Sequence, residues 1–223
     1  FGMVPQDQTE KIIKVILDDI RNHHNGNLYT GIIGTKSLVE VFSEYGLEDE
    51  LLEIIHQEDY PGWGYWVKNG ATTIWQNWSG TADHMHGMYG TVEEFNFNRV
   101  LGIQSPNGGK TTTGFENIYL SPWTTGKISW AKGYLDTPNG KVHVDWEKYS
   151  DELLIVNIEV PVNSKATLEL PGFYDEVQES NTNINSTIDS KGNNTIELKY
   201  ENHNLILQTG SGKYSFELKK SGN

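Results

Sequence analysis

Cysteine is absent from the 223 residues, which excludes disulfides and thiolate metal sites and leaves the compartment undecided. No apolar run approaches membrane-spanning length, and no signal-peptide pattern is present. Basic residues are scarce: 17 Lys+Arg stand against 30 Asp+Glu, a formal net charge of −13. That balance argues against a nucleic-acid backbone or an anionic membrane as partner. No Gly-x-Ser-x-Gly elbow, P-loop or Rossmann glycine pattern occurs, so the common signatures of serine hydrolases and nucleotide binders are missing. Aromatics, by contrast, are plentiful. Seven Trp and eleven Tyr exceed what this length needs, and flat rings serve sugar sites as well as cores. The chain begins with Phe1 inside what reads as a structured segment, the expectation being a piece of a longer protein.

The hydrophobic period changes near residue 105. Before it, the pattern is helical. Asp7 and Glu10 have capping-box spacing ahead of Ile13, Ile16, Leu17 and Ile20. A second helix is expected from Thr35 or Ser37 to Gly46, and a third carries Leu47, Leu51, Ile54 and Ile55. A short one runs from Trp63 to Asn69, and a last one from about Met85 to Leu101. After residue 105 the period is two: Val142, Val144 and Trp146; Leu154 to Val160; Ala166, Leu168 and Leu170; Ile196, Leu198 and Tyr200; Leu205 and Leu207; Tyr214, Phe216 and Leu218. Turn residues such as Pro138-Asn139-Gly140 and Pro171-Gly172 separate the runs, and the Asn/Ser/Thr-rich stretch from Ser180 to Asn194 reads as a loop. The expected organisation is a helical region, 1–104, followed by an antiparallel β-sandwich, 105–223.

The densest chemistry lies between Tyr60 and Gly90, where four Trp, three Tyr and two His fall within thirty-one residues punctuated by glycine. Rings interleaved with amides and hydroxyls suit a sugar; a Gly-rich packing region with structural Trp is the equal alternative. His84 and His86 are two apart and no acidic set completes a coordination sphere, so neither a metal nor a cofactor is expected.

These residues also carry a family resemblance. Phe1-Gly2-Met3-Val4-Pro5, Leu28-Tyr29-Thr30-Gly31-Ile32-Ile33-Gly34-Thr35, Tyr60-Pro61-Gly62-Trp63-Gly64-Tyr65, Gly70-Ala71-Thr72-Thr73-Ile74-Trp75 and His86-Gly87-Met88-Tyr89-Gly90 follow one another as they do in the bacterial α-L-rhamnosidases of glycoside hydrolase family 78. Gly140 to Trp146 and Ile158 to Ala166 extend the resemblance into the second half. It implies a multidomain α and β protein: part of an (α/α)6 helical barrel, then a β-sandwich. It also implies inverting hydrolysis of terminal α-L-rhamnose from a glycan or glycoside, which uses a carboxyl acid and a carboxylate base. Gln76 occupies the position of the family's general base, and His86 matches its sugar-contacting histidine. Trp75 and Trp63 are candidates for a stacking platform or pocket wall; Trp66 and Trp78 are equally core candidates.

Two departures follow. The family's general acid belongs to an upstream acidic motif that these residues do not include, and an amide at position 76 holds water but takes no proton. Asp83, Glu58 and Asp59 are the nearest alternative carboxylates in sequence. The chain is therefore expected to be inactive alone, with the remainder of the barrel, or a second copy, as its macromolecular partner. A carbohydrate-binding pseudoenzyme module and a helical-barrel glycosidase for another sugar stand as alternatives.

Overall fold

The computed structural model describes residues 4–180, 182–183, 188–190 and 194–221. The chain forms two compact units, Phe1–Glu93 and Glu94–Asn223.

The first unit contains α1 (Thr9–His23), α2 (Ile32–Glu44), α3 (Glu48–Ile55) and α4 (Trp63–Lys68). The capping box expected at Asp7 does not form. A 3₁₀ turn, Gln6–Gln8, runs directly into α1, where Thr9 N–H donates to the Gln6 carbonyl; the N-cap position falls on Gln8 rather than Asp7, and no side chain caps the helix. Helix α2 starts three residues before Thr35, at Ile32, with extended Gly31 as its N-cap. The Thr35 hydroxyl bonds back to the Gly31 carbonyl at 2.9 Å and contacts Thr30 Oγ1 at 2.8 Å. A hydroxyl that reads as a cap is thus a buried back-bonding residue inside the helix. The expected long helix from Met85 to Leu101 is broken. A 3₁₀ turn at Gly87–Tyr89 precedes α5 (Thr91–Phe95), which passes into a π turn at Asn96–Val100. Glycines at 87 and 90 weaken the first stretch. In the second, Leu101 N–H donates to the Asn96 carbonyl, and the Asn98 side chain accepts from Ser105 N–H. Of α1's apolar residues only Ile20 is buried, and Val15 stays 61% exposed, so the helix uses little of its apolar face within this unit.

The second unit is a two-sheet sandwich. Its strands are β1 (Asn117–Leu120), β2 (Trp130–Thr137), β3 (Gly140–Lys148), β4 (Leu153–Val160), β5 (Lys165–Pro171), β6 (Glu176–Glu179), β7 (Thr182–Asn183), β8 (Ile188–Ser190), β9 (Asn194–Glu201), β10 (Asn204–Thr209) and β11 (Gly212–Lys219). One sheet has the order β1-β5-β10-β9-β8, the other β2-β3-β4-β11-β6-β7. Among the described residues all strand pairings are antiparallel except β1 with β5. Strands β7 and β8 fall in the stretch expected to be a loop; positions 181, 184–187 and 191–193 of that stretch lie outside the described residues. Strands β1, β2 and β6 carry too little apolar alternation to stand out in sequence, because β2 turns Ala131, Gly133 and Leu135 inward and β1 and β6 are only four residues long.

The alternating residues meet between the sheets: Val142, Val144, Trp146, Val156, Leu168, Leu170, Leu205, Leu207, Phe216 and Leu218 are all wholly buried. Trp146 anchors this core and donates from its indole N–H to the Val100 carbonyl at 2.9 Å. Nearby, Gly102 has φ +84, and a Cβ there would lie 2.2 Å from the Pro122 nitrogen, so the chain entering the sandwich admits only glycine. Burial, and then the neighbouring Tyr200, pushes the Tyr174 hydroxyl up to about 12.

Two outcomes are expected. Trp146→Ala removes a buried ring and leaves a carbonyl unpaired, costing roughly 3–5 kcal/mol in urea unfolding. Because the folded state holds the Tyr174 proton more tightly than the unfolded chain, that contribution is complete below pH about 10 and is lost as pH rises towards about 12. Tyr174→Phe should flatten this alkaline decline in a pH series of unfolding midpoints.

Candidate functional site

The residues from Tyr60 to Gly90 build a ring cluster with a loop laid over it. Trp63, Trp66, Trp75, Trp78 and Tyr89 are each under a tenth exposed. Ring centroids lie 4.7 Å apart for Trp66–Trp78, 4.1 Å for Trp78–Tyr89, 5.3 Å for Trp63–Trp78 and 5.7 Å for Trp66–Trp75. Buried indoles need acceptors, and three find backbone carbonyls. Trp63 Nε1 donates to Tyr89 O at 3.1 Å, Trp66 Nε1 to Trp78 O at 2.9 Å and Trp78 Nε1 to Thr30 O at 2.9 Å. Helix α4, the loop after it, the 3₁₀ turn and the segment leading to α2 are thereby tied together. Desolvation, with a smaller effect of Tyr60, holds the Tyr89 hydroxyl above the usual tyrosine range.

Over this base, residues 73–76 and 83–86 run side by side. Gln76 N–H donates to Asp83 O at 2.8 Å, and His86 N–H to Ile74 O at 2.8 Å. Asp83 N–H returns a long bond to Gln76 Oε1 at 3.4 Å, and the Thr73 hydroxyl donates to His84 O. The connecting turn is held by Asn77, whose side chain bonds Ser79 and Thr81. Gly80, at φ +68, makes the turn possible, since a Cβ there would sit 2.4 Å from the Trp75 ring. His84 stacks on Trp75, with centroids 4.6 Å apart and planes at 14°, and its Nε2 faces the Gly80 carbonyl at 2.8 Å. A carbonyl only accepts, so Nε2 carries the proton.

Gln76 and His86, ten residues apart in sequence, are thus set on paired segments, both half-buried. His86 is extended, just ahead of the 3₁₀ turn, and its Nδ1 is buried with no hydrogen-bond partner. Trp63 and Trp75 lie in the ring cluster with Trp66 and Trp78. Of the three alternative carboxylates, Asp83 is paired through its backbone with Gln76, whereas Glu58 holds Lys68 at 3.2 Å; Asp59 is exposed. Sequence reasoning missed Asn27, which is 3% exposed and whose Oδ1 is likewise unpartnered. Its place directly before the Leu28–Thr35 motif was the available signal. Among the described residues no group of three or more His, Cys, Asp or Glu is arranged to hold a metal ion.

Helical hairpins followed by a two-sheet β unit define the class: the hairpin-domain glycosidases that carry a β domain after the helices. The bacterial α-L-rhamnosidase 6 hairpin glycosidase domain matches residues 1–100, and the bacterial α-L-rhamnosidase C-terminal domain matches residues 102–185. The chain belongs to the bacterial α-L-rhamnosidase family. An α-L-rhamnosidase of Alteromonas sp. (strain LOR) is 31% identical over 81% of this chain and 20% of its own length. One from Formosa agariphila is 28% identical over 99% of this chain and 24% of its own. The solved α-L-rhamnosidase of Dictyoglumus thermophilum superposes with a TM-score of 0.79 at 29% identity, covering 97% of this chain and 24% of that one. These 223 residues therefore span about a fifth to a quarter of the relatives they match.

Gly80→Ala tests the packing of the loop. The strained backbone and the ring clash should together cost about 1–3 kcal/mol and weaken the near-ultraviolet tryptophan dichroism, while α-helical signal is retained.

Proposed function

We propose that this chain is the C-terminal portion of an enzyme that hydrolyses terminal α-L-rhamnose from rhamnose-containing glycosides with inversion. In this reading residues 1–104 are the end of its helical barrel and residues 105–223 its accessory sandwich. The observation that carries the proposal is the buried, unpartnered Nδ1 of His86 on the segment paired with Gln76. A buried ring nitrogen left without a protein partner is costly unless a ligand hydroxyl or a bound water meets it.

His86 contacts the sugar, and Trp75 and Trp63 serve as the wall that fixes the loop rather than as an open stacking face, since both are buried. Gln76 stands where a base would activate the attacking water. Its carboxamide positions that water by hydrogen bonding and cannot take its proton. The acid that protonates the leaving oxygen comes from residues outside these 223. Exposed Tyr29, Ile33, Val67 and Met85 give the remaining barrel apolar surface to cover; in an isolated chain the same surface favours self-association. Neither a nucleic acid nor a membrane is a partner in this reading.

Gln76 favours one rival, a pseudoenzyme that binds sugar without turnover. In the full-length protein, Gln76→Glu should raise aryl-rhamnoside hydrolysis by about 10²–10⁴-fold. No gain, together with rhamnose binding that His86→Ala abolishes, selects the pseudoenzyme. No gain and no binding removes both readings.

A further inference from the structure

The outward face of the six-stranded sheet carries aromatics that packing does not explain. On edge strand β2 the exposed side presents Trp130, 63% exposed, and Tyr134, 50% exposed. They are four residues apart, so about 13 Å separates them along the strand. Tyr149, 59% exposed, extends the strip: its hydroxyl bonds Glu147, which is in register with Trp130. Large exposed rings in one line on a sheet face mark a surface with a partner.

The rest of the face shows what kind. Register places Tyr134, His143, Glu159 and Lys213 in one cross-strand row, and Lys132, Asp145, Asn157 and Ser215 in the next. An open depression of about 440 Å³ is lined by His143, Asn157, Glu159, Lys213 and Ser215. Three lysines of the face are paired with its own acids: Lys132–Asp145 at 3.2 Å, Lys213–Glu159 at 3.2 Å and Lys141–Asp136 at 3.9 Å. The face thus offers rings and directed hydrogen-bonding groups, with its cations already neutralised. That complements an uncharged, polyhydroxylated chain and gives a polyanion nothing to hold. Lys141 Nζ lies 3.3 Å from the Tyr134 ring centroid, an exposed cation–π contact that a sugar C–H face can displace.

From this the geometry points to a binding site for a neutral polysaccharide on the face formed by β2, β3, β4 and β11, with Trp130, Tyr134 and Tyr149 as its stacking strip. The strip is longer than one sugar ring, so it grips a chain rather than a terminal residue. It stands on the sandwich alone and does not depend on Gln76 or His86.

Affinity gel electrophoresis of the full chain tests it, with soluble xyloglucan and glucomannan, neutral polymers without rhamnose, in the gel and polygalacturonate as the polyanion. A neutral polymer should retard the chain and polygalacturonate should not. Trp130→Ala should weaken retardation by about tenfold in Kd, the cost of truncating an aromatic anchor, while Trp130→Phe keeps most of it. Thermal melting of both variants checks that the exposed position leaves the fold intact. His86→Ala should not change retardation, which separates this site from the one in the helical unit. The assignment is overturned if neither neutral polymer retards the chain, if Trp130→Ala binds like wild type, or if polygalacturonate alone retards. Loss of self-association in Trp130→Ala without any glycan retardation overturns it equally, because the occupant is then a second copy.

Discussion

Three indole N–H groups, each donating to a backbone carbonyl inside a packed cluster of rings, hold the candidate site of the helical unit in place. Trp63, Trp66 and Trp78 reach Tyr89, Trp78 and Thr30 respectively, so four segments that are distant in sequence share one anchor. In that dry setting a lost acceptor leaves a buried donor unpaired, which costs about 1–3 kcal/mol. Gly80 supplies the tight turn against Trp75, and the paired segments 73–76 and 83–86 lie over the rings. Backbone bonds between the two segments fix Gln76 and His86 relative to each other, and the cluster supplies the base on which the pair rests.

The same residue type does a different job in the sandwich. Trp146 fills the space between the sheets, and its single N–H reaches the Val100 carbonyl. Trp130 fills nothing, since it stands exposed on an edge strand. The abundance of aromatics in the sequence therefore had three causes: anchoring a loop, filling a core and offering rings to solvent.

How much of this could be read beforehand follows from the physics of each element. Alternation at Val142, Val144 and Trp146, and at Leu154 to Val160, was legible because one side of each strand is fully buried. Strand β2 escaped because its inward residues include Gly133 and Ala131, so the apolar signal was too small. Helix ends were misplaced where a hydroxyl or carboxylate could serve two purposes: Thr35 back-bonds within α2, and Asp7 caps nothing. In the site, residue types and order pointed to Gln76 and His86. Periodicity carried no sign that residues 73–76 and 83–86 pair, or that Trp63 and Trp75 are buried to the same degree as Trp66 and Trp78. Those facts arise from tertiary packing of an irregular loop.

Family membership matches residues 1–100 to the hairpin glycosidase domain and residues 102–185 to the C-terminal domain of bacterial α-L-rhamnosidases. It leaves open what a carboxamide does at position 76, and the geometry narrows that question: Gln76 is held through its backbone, and Asp83 is the carboxylate-bearing residue paired with it. In the proposed function this paired loop faces a sugar. The most direct measurement is an NMR titration of the full-length protein with L-rhamnose, following the His86 imidazole and the Gln76 side-chain amide. Saturable shifts are expected at both, with the Trp130 indole signal unmoved by the monosaccharide. Saturation with no change at His86 and Gln76 would contradict the proposed function.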